Sequence, residues 1–407
     1  MSLITEPNQI PIVHDEALVA IAEKVRTGKR LSAEEGVYLY ETPDLWTLCS
    51  LAQEVRTKLH GNKTYYNINR HINYTNICAL SCQFCDFHRK KEQDGAYEHS
   101  LDDIRKETEV AIHAGATELH IVGGLHPWLP FSYYTEMLQT IREMAPNIHI
   151  KAFTAVEVVH LARISKRGRE GRDGITAVLE ELKEAGLGSL PGGGAEVFDD
   201  RVHDDAFKGK IRGEQWLDVH RCAHEIGLNS NATMLYGHIE THAERIDHMM
   251  QIRSEQDRVL QDKTKGQFQT FIPLPFIPGK SELAHLPGPG GVENLRTIAI
   301  ARLMLDNIPH IKAFWIMQTL HMAQHMLECG ANDIDGTVVW YDITKVDTAD
   351  THQECTVVDL CRAIRDAGFD PVERDTIYRE VIRDGNSWRV KSLKAKQTCS
   401  SDSSSDN

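Results

Sequence analysis

Three helix-like stretches of this chain end in the same manner, and that ending constrains the fold more than any other feature. "AGATELH", "AGLGSLP" and "IGLNSNA" each place a glycine where a helix stops, followed at once by strand-forming residues. A glycine in the left-handed position just past a helix satisfies the last carbonyls and redirects the chain. Around these stops, helical and strand-like patterns alternate. "SLDDIRKETEVAIHAGA" leads into "TELHIVGG", "YYTEMLQTIREMAP" into "NIHIKAFTA", and "WLDVHRCAHEIG" into "LNSNATMLYG". "GQFQTFIPL" and "HIKAFWIMQ" continue the series. Eight strand candidates, from "YYNINRHINYT" to "GTVVWYD", predict parallel βα units. An open doubly wound sheet uses the same units; the count favours a TIM-type (β/α) barrel of α/β class, with eight strands. The 407 residues suit this, because such barrels run past about 250 residues as one unit.

The ends read differently. Residues 1–60 form an N-terminal helical extension, in which "LSAEEGVYLYE" offers a capping box between Ser32 and Glu35. Residues 61–390 are the barrel. The tail, 391–407, is Ser/Asp-rich and reads as disordered. "KRGREGRDG" is a charged, glycine-bearing insert expected to be a solvated loop. A formal net charge of -14 argues against a nucleic-acid scaffold, which needs basic surface to neutralise phosphates. No basic leader precedes an apolar run, and no window approaches the roughly 18 apolar residues of a membrane helix. A soluble, cytoplasmic protein is the expectation.

Nine cysteines are present, and three fall in "NYTNICALSCQFCDFHR" as Cys78, Cys82 and Cys85, a C-x3-C-x2-C spacing. They follow the first strand of the alternating region, where a barrel carries its functional loops. A closed zinc site would want a fourth ligand, for which His88 is the neighbour to hand. A fully ligated iron–sulfur cluster would want a fourth cysteine. Three thiolates alone suit a [4Fe-4S] cluster with one iron left open.

The spacing resembles the signature of the radical S-adenosylmethionine superfamily. The resemblance implies that S-adenosylmethionine chelates the open iron and that Phe84, just before the third cysteine, lies along the adenine. Gly123 and Gly124 match the family's glycine motif, whose backbone holds the methionine amino group; Leu125 stands where a Glu often follows. Glu157, after the third strand, matches a ribose-holding position, and it is equally a helix-start carboxylate favoured by the dipole. Tyr236 and Gly237, in "TMLYGHIE", match the pattern backing the adenine.

Beyond the superfamily, "IKAFTAVEVVHLARISK", "GLGSLPGGGAEVFDDRVH", "FIPLPFIPGKSELAHLPGP" and "DIDGTVVWYDI" resemble the aminofutalosine (aminodeoxyfutalosine) synthase family of menaquinone biosynthesis. That resemblance spans residues 67–355. It implies addition of the 5′-deoxyadenosyl radical to 3-[(1-carboxyvinyl)oxy]benzoate, giving 6-amino-6-deoxyfutalosine. S-adenosylmethionine is consumed, and a donor such as flavodoxin or ferredoxin supplies electrons. Dehypoxanthine futalosine cyclase, of the same pathway, shares the cluster and barrel; a non-enzymatic iron–sulfur or zinc protein is the more distant reading. The two substrate carboxylates need local donors, for which His71, Asn73, His126, Arg163 and His238 are candidates near strand ends, while Glu196, in the glycine-rich loop "PGGGAEVFDD", is a candidate to hydrogen-bond a ligand. "FIPLPFIPG" reads as an apolar wall that shields a radical from water.

Overall fold

The computed structural model describes residues 15–279, 281–337 and 354–392. Three helices open it: α1 (Glu16–Arg26), α2 (Ala33–Glu41) and α3 (Leu45–His60). Ser32 and Glu35 form the reciprocal capping pair that starts α2. Strands β1 (Lys63–Asn67) and β2 (Asn69–Ile72) follow, then α4 (Leu101–His113), β3 (Glu118–Ile121), α5 (Phe131–Met144) and β4 (His149–Ala152). Next come α6 (Ala155–Ile164), α7 (Gly171–Ala185), β5 (Ser189–Leu190), α8 (Asp200–Ala206), α9 (Gly213–Glu225) and β6 (Asn229–Tyr236). The second half holds α10 (His242–Asp262), β7 (Phe268–Pro275), α11 (Gly291–Met304), β8 (His310–Ile311), α12 (Trp315–Gln318), α13 (Leu320–Glu328) and β9 (Asp333–Gly336). Helix α14 (Val357–Asp366), β10 (Asp370–Glu373) and the antiparallel pair β11 (Val381–Asp384) and β12 (Ser387–Val390) complete the described chain.

Strands β2 to β8 form one parallel sheet in sequence order, curled with helices on its outside. The glycines that stop α4, α7 and α9 all adopt positive φ: +67° at Gly115, +124° at Gly186 and +88° at Gly227. Each turn therefore has the conformation that the repeated sequence ending requires.

The barrel differs from the eight even strands expected. Seven strands share the continuous sheet, and "YYNINRHINYT" breaks at Ile68 into two strands that belong to different sheets. β9 pairs with β1, joins the β8 segment through the Lys312–Asp333 bridge and the backbone bonds Asn332 N–H to Ile311 O and Ala313 N–H to Asp333 O, and ends against Asn67 and Asn69 through Thr337. It stands between the last and first staves. Of "GTVVWYD", Gly336 closes β9 and Thr337 follows it, while the remainder lies outside the described residues, as does the tail beyond residue 392. The insert "KRGREGRDG" is only half loop: Gly171 begins α7, and Gly174 packs against the Arg167 carbonyl.

Apolar side chains fill the layer between sheet and helices. The lower lumen is charged instead. Lys151–Glu118, Lys312–Asp335 and Arg374–Asp333 each close at 2.5 Å, with every side chain 4% exposed or less. Burial raises the Glu118 carboxyl, but Lys151, Arg374 and Lys312 overcome that and hold it down at about 2. Such pairs tie staves β3, β4, β8 and β9 together, because losing one partner strands a charge in a low-dielectric interior.

Candidate active site

A cavity of about 280 Å³ opens at the C-terminal ends of the staves, and all three clustered cysteines line it. The loop that carries them is folded by its own hydrogen bonds. Cys78 N–H donates to Arg89 O and Arg89 N–H to Asn76 O, at 3.0 and 2.8 Å. Asn76 further grips the segment 95–97 by its side chain. The Lys90 ammonium clasps three loop carbonyls, those of Cys78, Ala79 and Leu80, at 2.9–3.3 Å. Gly124 packs so closely on this loop that a Cβ there would lie 2.4 Å from Ile77 O. The glycine is required by contact, not by φ.

The thiols fit a cluster better than a single ion. No three His, Cys, Asp or Glu side chains among the described residues converge on one metal position. A tetrahedral zinc needs such convergence, whereas a cube lets each thiolate meet a different iron. His88 is turned to the backbone, its Nδ1 2.8 Å from Cys85 O, so it offers no ready fourth ligand from that nitrogen. Burial pushes the Cys82 thiol up to about 11 and raises Cys85 as well. Binding iron would displace those protons.

Phe84, Gly123, Gly124, Glu157 and Glu196 all line the cavity with the cysteines. Phe84 stands edge-on to Phe207 at 5.0 Å. Glu157 is the N3 residue of the capping box that starts α6, with Thr154 as N-cap. Its Oε1 accepts from Tyr74 OH and Gly123 N–H at 2.8 and 3.0 Å, and its Oε2 from Thr154 N–H and Oγ1, both at 2.8 Å. Both oxygens are thus engaged, and the helix-start role is built. Burial still pushes this carboxyl up to about 7 against those donors.

Glu196 has a left-handed backbone, φ +50°, and forms an ion pair with Lys210, which lies 14 residues onward. The Lys210 ammonium also sits 5.1 Å from the Phe84 ring centre and 5.8 Å from that of Phe207. Burial lowers its pKa, but Glu196 and the Cys82 and Cys85 sites more than restore it. Among the described residues, Lys210 is the only Lys or Arg lining the cavity.

Several sequence candidates are elsewhere. Tyr236 points away from the cavity, its hydroxyl between Asn294 and Gln318 at 2.7 and 2.9 Å. Thr233 and Leu235, of the opposite parity on β6, face inward instead. Gly237 contacts Pro289 and donates to Glu240, outside the lining. Arg163 is exposed in the last turn of α6. Asn73 donates to Val122 O and braces two staves. His126 accepts from Trp128 and Leu129 N–H and pairs with Glu98 at 2.7 Å. His238 lies behind Phe207 and Phe276, paired with Glu240 at 3.0 Å. His71 sits one stave away from the lining, against His120, which does line it. The apolar wall holds: Ile272, Leu274, Phe276 and Ile277 all face the cavity. Lys210 and His120 escaped the sequence reading. For His120 the signal was its place on a strand ending in Gly-Gly; for Lys210 there was none.

Comparison with known proteins agrees with this geometry. Residues 72–252 match the profile of the Radical SAM superfamily, and residues 265–384 that of the CofH/MqnC C-terminal region. Aminodeoxyfutalosine synthase of Thermus thermophilus is 44% identical over 373 residues, 91% of this chain and 97% of that protein. The 5-amino-6-(D-ribitylamino)uracil–L-tyrosine 4-hydroxyphenyl transferase of Archaeoglobus fulgidus is 39% identical over 330 residues, 81% of this chain and 92% of that one. The crystal structure of methylornithine synthase (PylB) superposes with a TM-score of 0.68 at 17% identity, covering 86% of this chain and 97% of that one.

Proposed function

Because the chain belongs to the radical S-adenosylmethionine superfamily, as an enzyme of the aminodeoxyfutalosine synthase type, we propose that its substrate is 3-[(1-carboxyvinyl)oxy]benzoate and its product 6-amino-6-deoxyfutalosine. The observation that carries this is the single cavity shared by three cysteines at its mouth and apolar staves below, in a chain 44% identical to a synthase of that name. In this reading Cys78, Cys82 and Cys85 hold the [4Fe-4S] cluster. Together with S-adenosylmethionine, that group supplies a 5′-deoxyadenosyl radical.

The chain's own residues do the rest. Phe84 offers an aromatic face for adenine, held edge-on by Phe207. Gly123 and Gly124 allow close backbone approach beside the cysteines, with Glu157 fixing the first of them. Lys210 gives one ammonium for a carboxylate near the cysteine end, with Glu196 as its resting partner. Ile272, Leu274 and Phe276 exclude water and stray hydrogen donors from a reactive carbon radical. One electron breaks the C–S bond of S-adenosylmethionine and releases methionine, a new C–C bond joins the nucleoside C5′ to the vinyl carbon, and after rearrangement the enolpyruvyl carboxyl carbon leaves, with water, as bicarbonate while the electron is given back. The low-potential donor is a flavodoxin or ferredoxin.

A second reading, transfer of a 4-hydroxyphenyl group from L-tyrosine to 5-amino-6-(D-ribitylamino)uracil, draws support from the 39% identical relative. Anaerobic incubation of the reduced, cluster-loaded protein with S-adenosylmethionine and each substrate set separates the two. The synthase reading expects an adenosyl adduct by mass spectrometry with the enolpyruvyl benzoate. It falls if only 5′-deoxyadenosine and methionine form there; an adduct of the ribitylaminouracil would establish the alternative. Dehypoxanthine futalosine cyclase activity would show instead as ring closure of dehypoxanthine futalosine.

A further inference from the structure

The cavity has a second polar group, His120, at the end away from the cysteines. At its floor His120, on β3, pairs in register with His71 on β2 and Lys151 on β4. The His71 and His120 ring centres are 4.3 Å apart. Gly123, three residues further along the same chain, stands against Tyr74 and Thr75 at the foot of the cysteine loop. At about 3.3 Å per residue, His120 therefore lies about 10 Å below the cysteine end. The walls between are largely apolar, formed by Val122, Val156, Leu235, Ile272 and Leu274, with Thr154 and Thr233 the neutral polar side chains in the lining. A flat aromatic ring fits such a slot, with one end of the ligand at the cysteines and the other at His120.

The charge behind His120 selects what that far end carries. Lys151 and Lys312 are both buried in the lumen, paired with Glu118 and Asp335 respectively. Burial, His71, and then the two ammoniums hold the His120 pKa well below its ordinary value, so its ring is neutral at physiological pH. A neutral imidazole carries one N–H to donate, and of the paired lumen charges it is the two ammoniums that act on His120, which favours an anion over a cation in front.

We propose that His120, backed by Lys151 and Lys312, recognises the carboxylate on the aromatic ring of the co-substrate at the cavity floor. The proposal rests on the reading of the substrate given above and assigns the ring carboxylate to a residue. The carboxyl that is lost lies at the other end, beside the vinyl carbon and therefore near the cysteines. His120 is then a recognition residue, and the ring carboxylate, not the enolpyruvyl group, is what it senses.

The test compares 3-[(1-carboxyvinyl)oxy]benzoate with 2-phenoxyprop-2-enoate, the same enol ether without the ring carboxylate, in the cluster-loaded enzyme and its H120L and H120Q variants. In the unaltered enzyme, loss of the ring carboxylate is expected to raise KM at least about tenfold, the scale of one hydrogen bond to a charged group. In H120L that discrimination collapses to less than about threefold, and H120Q, which keeps an N–H donor, retains part of it. The spectral change on adding S-adenosylmethionine stays the same in all three, since that end is untouched. Full discrimination in H120L, in an enzyme that turns over the benzoate, overturns the proposal and leaves the function standing. Failure of the unaltered enzyme to act on the benzoate removes the function and this proposal together. Should H120L not fold, H120A, which also lacks a donor, answers the same comparison, and undiminished discrimination there overturns the proposal equally.

Discussion

Replacing Lys210 by methionine removes the only cationic Lys or Arg side chain lining the cavity among the described residues and leaves Glu196 without its counter-ion. The two side chains are 8% and 9% exposed. Breaking a buried pair from one side costs about 3–5 kcal/mol, because a stranded charge has lost its hydration without compensation. Loss of the ammonium over the Phe84 and Phe207 rings adds about 0.5–1 kcal/mol. Water admitted to the cavity relieves part of the stranded charge, so about 3 kcal/mol of lost stability is the expectation for K210M. Glu196→Gln strands the ammonium instead and should cost a similar amount. The double variant removes both charges and should return to within about 1 kcal/mol of the parent, since an uncharged pair of similar volume carries no desolvation debt. Urea unfolding followed by circular dichroism under anaerobic conditions gives the three differences, and the double-mutant cycle gives the coupling. A coupling below about 0.5 kcal/mol, with the two losses simply adding, would show that the pair is solvated and would refute this reasoning.

Gly124→Ala places a methyl 2.4 Å from Ile77 O, next to Cys78, so the loop must shift. The expected result is about 1–3 kcal/mol of destabilisation with loss of bound iron after reconstitution, read by iron assay and urea unfolding. Arg163→Ala should leave activity and stability within error, because the side chain is exposed on the outer end of α6. Acid should weaken the barrel through Glu118. Its folded pKa of about 2 lies below the ordinary 4.5, so the stabilisation is complete above about 4.5 and disappears as pH falls towards 2. The difference of about 2.5 units corresponds to about 3 kcal/mol, and unfolding free energies measured from pH 5 to pH 3 should lose less in Glu118→Gln than in the parent. Equal losses in both would contradict it.

The sequence told most where chemistry leaves a local mark. Helix stops at Gly115, Gly186 and Gly227, the capping pair at Ser32 and Glu35, and the cysteine spacing are each legible within a few residues; the stops and the capping pair stand as read, and the three cysteines meet at one cavity. Glu196 was also legible, as the carboxylate of a glycine-rich loop. What failed depended on which face of a strand a residue occupies. Tyr236 and Thr233 lie on one strand, but only the parity of Thr233 points inward, and nothing local sets that parity before the register is known. His71 and His120 are register partners on one face of the sheet, their rings 4.3 Å apart, and what brings only His120 to the cavity is the curl of the staves, which no local signal sets. Lys210 is harder still: its partner Glu196 is distant in sequence and the pairing exists only once α8 has folded between them. The eighth stave is the hardest to bound from sequence: it meets the expected "GTVVWYD" at Gly336, and its described part, Asp333–Gly336, is short and polar, with Asp residues facing buried cations instead of an apolar core.

The central claim is that three cysteines hold a cluster whose fourth iron is open to S-adenosylmethionine at the mouth of this cavity. The most direct measurement is the low-temperature EPR spectrum of the anaerobically reconstituted, reduced protein before and after adding S-adenosylmethionine. A [4Fe-4S] signal whose g values shift on addition, and which is lost in Cys78→Ala, Cys82→Ala and Cys85→Ala, is the predicted result. A signal unchanged by S-adenosylmethionine, or one that survives the three substitutions, would contradict the account.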